Sequence, residues 1–309
     1  MPMQLTREQQ EKARAYLYTY ARPVEAALYA YLFEGASNDA VIAALVPYQN
    51  PDGGFGHGFE PDFRLDASSA LCTTYALQTL TVARAATTLP MVRNAMRYFR
   101  QSYNPALTAW PLIPRHDNTA PRAPWWGSPD DSPQSCNDYS VNPLAEILGY
   151  FFRYGEGDAP EWLMPLLHDM IGHLAEQPVE KSRDDELNCA MILVDSPNLP
   201  EAQRAALLSK LLPIAAQQVQ RTPDAWTNYG LQPYQIAASP TSPFLPVVAD
   251  VIDANLDYLI TQQGDDGAWQ LTWSWSGQYT DIWPTAEREW KGILTLGILQ
   301  TLRNFGRLA

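Results

Sequence analysis

Gln49-Asn50-Pro51-Asp52-Gly53-Gly54-Phe55 recurs near the other end of the chain as Gln263-Gly264-Asp265-Asp266-Gly267-Ala268-Trp269. Both carry a glutamine, then Asp-Gly three and four residues on, then an aromatic two places later. Glycine gives the backbone a left-handed conformation where the chain turns sharply, and the aspartate bonds nearby amides. The glutamine is placed to bond free groups at helix ends, and the aromatic to plug the junction between neighbouring helices. Each copy follows an apolar helical run, Ala43–Gln49 and Leu256–Gln262, and precedes another helix after a loop. Self-similar helix pairs joined in this way are the mark of a repeat architecture.

Outward from these turns, helical periodicity dominates. Thr6 with Gln9 forms a capping box that opens a helix through about Ala21, and Pro23 opens a second at a favoured first-turn position. Further helices are expected over 38–49, 67–86, 90–103, 143–154, 159–176, 183–194, 200–219, 245–263 and 286–307. That makes about eleven, with no strand alternation longer than a few residues. Asp66 is the natural N-cap of the helix that follows it. Two irregular stretches interrupt the series: 108–141, with Trp110, Trp125 and Trp126, and 264–285, with Trp269, Trp273, Trp275 and Trp283. Long loops dense in aromatics point to function. No low-complexity linker divides the chain, so one domain over 1–309 is expected.

Bulk properties narrow the partners. The chain has 309 residues, 46% hydrophobic and 11% aromatic, which fits a folded protein with a substantial core. A net charge of −13 argues against nucleic acid or an anionic membrane surface. The polar N-terminus does not read as a signal peptide, and no window is long and apolar enough to be a transmembrane segment. Cys72, Cys136 and Cys189 give no disulfide framework. A cytoplasmic location is expected; oligomeric state is left open.

The pattern Q-x-x-D-G-x-[FW], with its flanking helices, resembles the QW repeat of the terpenoid cyclase and protein prenyltransferase superfamily, the group of the squalene cyclases. The likeness is specific in the two quoted copies, and roughly 100–245 carries no clear one. It implies an all-α fold, an α/α toroid with about six inner and six outer helices around a central cavity. Asp52-Gly-Gly-Phe55-Gly56 is especially close to the D-G-G-F-x-G loop of prenyltransferase β subunits. That loop continues with basic residues for a diphosphate and then with zinc ligands. Here the chain runs His57-Gly-Phe-Glu60-Pro-Asp62-Phe-Arg64-Leu-Asp66, with carboxylates in most of the basic places.

The chemistry of the superfamily is only partly matched. Zinc needs three or four converging Cys, His or carboxylate ligands, and His57, His116, His168 and His173 form no short ligand motif. The D-x-D-D acid of class II cyclases and the D-D-x-x-D magnesium motif of class I are absent. The nearest acidic run, Asp184-Asp185-Glu186, suits the first turn of a helix. No G-x-S-x-G, P-loop or H-E-x-x-H occurs. No metal or cofactor is therefore expected, and Cys72 and Cys189 read as buried small residues.

What remains is an aromatic-rich chain with acids beside the first turn. Glu60 and Asp62 are the candidate catalytic acid pair, since carboxylates beside apolar rings can hold raised pKa values; loop hydrogen bonding is the other reading. His57 is a candidate proton shuttle or a solvent-exposed turn residue. Trp125, Trp126, Trp269, Trp273, Trp275 and Trp283 are candidate substrate-binding residues, by cation–π contact or sugar stacking, or else core fillers. Three functions are compatible with this set. The first is a terpenoid cyclase-like enzyme with an acid-initiated reaction on a hydrophobic, isoprenoid-like small molecule. The second is a carbohydrate-active hydrolase or lyase with paired carboxylates and a sugar-like substrate. The third is a non-catalytic toroid that binds a ligand or protein.

Overall fold

Local sequence starts most of the helices. Thr6 accepts a bond from the Gln9 amide at 3.2 Å while the Gln9 side chain accepts from the Thr6 amide at 3.0 Å, the capping box expected there. The computed structural model describes residues 2–113, 120–126, 140–155 and 159–309. Its helices are α1 (Arg7–Thr19), α2 (Pro23–Phe33), α3 (Asp39–Leu45), α4 (Ala70–Val82), α5 (Pro90–Ser102), α6 (Val141–Tyr154), α7 (Leu163–Glu176), α8 (Asp184–Val194), α9 (Glu201–Gln218), α10 (Pro223–Trp226), α11 (Pro233–Ile236), α12 (Leu245–Val248), α13 (Ile252–Thr261) and α14 (Trp283–Asn304). Among the described residues extended pairing is confined to isolated bridges, so the fold is all-α. None of these helices is long and apolar enough to cross a membrane.

Two expected helices come out differently. The helix after the first turn starts at Ala70, capped by Ser69, whose hydroxyl accepts from the Cys72 amide at 2.9 Å. Asp66 is not its cap. The chain bends at Asp66 and Ala67 and is extended at Ser69, tied down where Ser69 N–H donates to the Phe55 carbonyl and Asn50 Nδ2 to the Asp66 carbonyl. The single helix expected over 245–263 is broken into α12 and α13. At the break Val251 N–H donates to the Val248 carbonyl, and Arg221 bonds the Val247 carbonyl at 2.8 Å and pairs with Asp250. Other starts agree closely, including the proline at the start of α2 and the acidic first turn of α8.

The chain divides into two compact units, Met1–Ala44 with Ala215–Ala309, and Leu45–Ile214. In the second, α6 is the hub, packed against α4, α5, α7 and α8. Its sequence is largely apolar and most of its side chains are buried, as expected for a helix packed on several sides. In the first, α14 packs on α1 and α2, and α11 on α12 and α13.

Each unit holds one copy of the repeated turn, and the two copies are bonded alike. Gln49 Nε2 donates to the Gly53 carbonyl and to Met91 in the first turn of α5, both at 2.9 Å. Gln263 Nε2 donates to the Gly267 carbonyl and to Gln9 in the first turn of α1, also at 2.9 Å. Asp52 accepts from the Gly54 amide at 3.0 Å and Asp266 from the Ala268 amide at 3.1 Å. The aromatic amides donate to buried threonines, Phe55 to Thr73 and Trp269 to Thr295. Gly53 and Gly267 have φ of +97° and +89°. A methyl on either would collide with a helix carbonyl, that of Asn94 or Lys12, three residues beyond the one its glutamine holds. Thus α1 stands to the second turn as α5 stands to the first. The chain ends meet beside it, with Leu5 N–H donating to the Arg307 carbonyl and Ala309 N–H to that of Leu5.

Gly53→Ala and Gly267→Ala are each expected to lower stability by about 2–4 kcal/mol, from left-handed strain plus the collision. Gly35, with φ +74° and open space around it, sets the strain alone, and Gly35→Ala is expected to cost about 1 kcal/mol. Chemical denaturation followed by circular dichroism separates the cases; equal losses at all three positions would rule out the docking contact.

A buried carboxylate cluster as candidate functional site

Glu146 lies in the middle of α6, within Pro143-Leu-Ala-Glu-Ile-Leu-Gly-Tyr-Phe-Phe152, and is 3% exposed. Such a carboxylate persists in a core only when hydrogen-bonded or protonated. Tyr150, one helical turn on, donates to its Oε1 at 2.5 Å, and Gln78 Nε2 from α4 donates to the same atom at 2.9 Å. Cys189 of α8 donates to Oε2 at 3.7 Å and also approaches Asn142 Oδ1 at 3.4 Å. Burial raises the pKa of Glu146 above the usual carboxylate range, although the bonds from Tyr150, Gln78 and Cys189 pull the other way. The desolvation effect wins, so this acid retains its proton to a higher pH than a surface glutamate.

The network continues towards the start of α8. Asn142 Nδ2 donates to Asp185 Oδ2 at 2.9 Å, and Arg183 grips both Asp185 oxygens. Burial alone would raise Asp185, but the bonds from Arg183 and Asn142 hold it below the ordinary aspartate value. Glu186 accepts from Ser140 Oγ and the Val141 amide at the start of α6. The acidic run Asp184-Asp185-Glu186 thus fills a first helical turn and also ties α8 to α6.

The sequence-predicted acids lie in the same unit. Glu60 and Asp62 are 2% and 3% exposed, in the loop that leaves the first turn. Phe59 N–H donates to the Gly56 carbonyl and Phe63 N–H to that of Glu60, which winds the loop inward. Ala123 N–H donates to the Asp62 carbonyl and Arg64 N–H to that of Pro121, so 120–126 is laid over it. Trp126 packs with Tyr75 on the cluster formed by Phe63, Leu71 and Ile113. The phenol of Tyr75, on α4, is raised well above its ordinary value, first by burial and then by Glu60, Asp62, Glu146 and Cys189. Tyr75 is therefore the electrostatic neighbour common to three buried carboxylates. Cys72, at the start of the same helix, is buried and pushed up to about 11 by desolvation, which leaves it an inert thiol.

Among the remaining candidates, His57 sits in the turn with a left-handed backbone, φ +56°. Its side chain is 41% exposed, and its ring nitrogens meet Asp66 at 3.3 Å and Asn50 at 3.0 Å. Trp125 is exposed beside Trp126. The other four tryptophans belong to the other unit. Trp275 is fully buried and packs on Trp283 and Tyr279. Trp269 is buried and donates its indole N–H to the Leu259 carbonyl, and with Trp273 it lines a cavity. Among the described residues no three His, Cys, Asp or Glu side chains converge as metal ligands. His116 and Cys136 lie outside the described residues.

The chain matches no protein-family model and no curated protein. Its chemistry must be read from the site alone. Sequence reasoning passed over Glu146, Tyr75, Tyr150 and Gln78. The available signal was an acidic residue in the middle of a largely apolar helix, followed by a tyrosine four places later.

Glu146 makes stability depend on pH in a definite direction. Its folded pKa lies above the unfolded one, so its contribution is full below the unfolded value and is lost as pH rises through the folded value. Glu146→Gln keeps the shape and an acceptor for Tyr150 and Gln78. The variant is expected to lose less stability than the parent between about pH 4.5 and 8 and to equal or exceed it at pH 8, measured by denaturant unfolding. Parallel pH profiles would refute a proton-bearing Glu146.

Proposed function

We propose that the chain is a terpenoid cyclase-like enzyme with an α/α toroid over 1–309, in which a buried acid starts an isomerisation or cyclisation of an apolar, isoprenoid-like molecule. The observation that carries the reading is the cluster itself: Glu60, Asp62 and Glu146 around Tyr75, with Glu146 held towards its protonated form by burial. A carboxylic acid whose pKa is raised by an apolar setting is better matched to donate a proton near neutral pH than a surface one. Its proton passes to one carbon of a substrate double bond, whose π electrons form the new C–H bond and leave a carbocation on the other carbon. Tyr75 and Trp126 supply ring faces for that cation, and the neighbouring carboxylates add negative potential. The last cation in the sequence loses a proton to a carboxylate, so the reaction is redox-neutral and needs no cofactor.

The twin turns support the toroid part of this proposal, because α1 takes the place after α14 that α5 takes after α4. Cytoplasmic location belongs to the same proposal, in keeping with the free, buried Cys72 and Cys189.

Acid initiation leaves a solvent hydrogen on carbon. The full chain incubated in D2O with a panel of linear and cyclic isoprenoid alkenes and epoxides is expected to yield products carrying deuterium, detected by mass spectrometry. Glu146→Gln, Glu60→Gln and Asp62→Asn are each expected to slow the conversion about 100-fold or more, and Tyr75→Phe less. Absence of deuterium in any product, or conversion that survives all three carboxylate changes, would overturn the assignment.

A further inference from the structure

The unit formed by both chain ends contains a cavity of about 280 Å³, remote in sequence from the acids and built differently. Its walls come from the loop and short helices at 226–235, from α13, from the strip that follows the second turn, and from α14. Aromatic rings supply much of the surface: Trp226 against Tyr258 at 5.2 Å between ring centres, and Trp273 edge-on to Tyr229 at 6.2 Å. Polar groups come mainly from amides, Gln235, Gln262 and Gln270 among them. The lining includes no Asp, Glu, Lys, Arg or His, in a chain whose residues are 18% charged. The Tyr234 phenol in the wall is pushed up to about 12 by burial, so it too stays neutral.

The indole N–H groups narrow the ligand. Trp226 donates to the Gln220 carbonyl at 2.7 Å and Trp269 to the Leu259 carbonyl at 2.8 Å. The third, Trp273 Nε1, is buried and meets no acceptor among the described residues. A buried donor in a cavity wall calls for an acceptor that the ligand brings. Quaternary ammonium groups suit aromatic boxes but offer no acceptor. Anions find no cation in the wall, and a purely apolar guest would leave the Trp273 indole unmet. Neutral polyhydroxylated rings satisfy every requirement: hydroxyls that accept and donate for indole and amides, and an apolar face that stacks on the aromatics. The volume is at the low end for small-molecule sites, about 300–1,000 Å³, which suits one pyranose ring with a short substituent.

We infer that this cavity is a binding site for a neutral saccharide, with Trp273 as its hydrogen-bond donor and Gln270 as an amide contact at its exposed edge. With no carboxylate in its wall, the site binds the sugar without hydrolysing it. This inference is independent of the proposed acid chemistry, and its test needs no turnover.

Calorimetric titration of the full chain with glucose, galactose, N-acetylglucosamine and maltose decides it, with glucuronate and choline as charged controls. Saturable binding of at least one neutral sugar is expected, with each charged control at least about tenfold weaker. Trp273→Phe retains the ring and loses the donor, and should weaken binding about fivefold. Gln270→Ala is at an exposed position and should weaken it about threefold, with unaltered circular dichroism. The inference is overturned by any of three results: no saturable binding of a neutral sugar, preference for choline, or sugar affinity unchanged in both variants.

Discussion

A side-chain amide clamped on the first turn of a helix is the contact on which the rest is hung. In each copy of the turn the glutamine closes its own loop and reaches a helix carbonyl with the same nitrogen. The glycine then lies so close to the next exposed carbonyl of that helix that only a hydrogen fits. Aspartate and threonine fix the remaining amides, so the turn is determined from both sides. Its geometry sets where the following chain leaves, and in the first copy that chain is the one carrying Glu60 and Asp62.

The acids show how one fold shifts neighbouring carboxylates in opposite directions. A continuous set of bonds runs from Arg183 through Asp185, Asn142 and Cys189 to Glu146. At one end a guanidinium stabilises the anion; at the other, burial among α4, α6 and α8 stabilises the neutral acid. Environments that push carboxylates apart in this way are where acid and base roles become distinct. The bonds of Glu146 to Tyr150 and Gln78 are directional, so the carboxyl keeps one orientation with no cationic partner among the described residues.

The fold was legible where its causes are local. Thr6 with Gln9, Pro23 and the two Asp-Gly turns act through their immediate neighbours, and each does what its residue type requires. Asp66 is not the cap because Phe55 and Asn50 tie down the chain from 66 to 69 and delay the helix, an effect of residues over ten places away. At the break in the helix expected over 245–263, Arg221 bonds the Val247 carbonyl from 26 places away. For the candidate site, the acidic end of the first turn led to Glu60 and Asp62, and the aromatic loop to Trp126. Glu146 was not found, because periodicity says that a helix is buried and not which polar groups face it across the core. Pairing with Gln78 is a property of packed helices and leaves no local trace.

The unit made from both ends of the chain imposes an order on assembly. Gln263 of the second turn docks on Gln9 of α1, 254 residues earlier, so α1 is made well before the turn and α14. Until then the apolar faces of α1 and α2 have no α14 to cover them, while 45–214 already holds all its own contacts. Synthesis therefore completes the inner segment first and leaves the N-terminal helices waiting on a closure of high sequence separation. Joining the adjoining ends at Leu5 and Leu308 and opening the chain elsewhere would turn that last, slow closure into a local one.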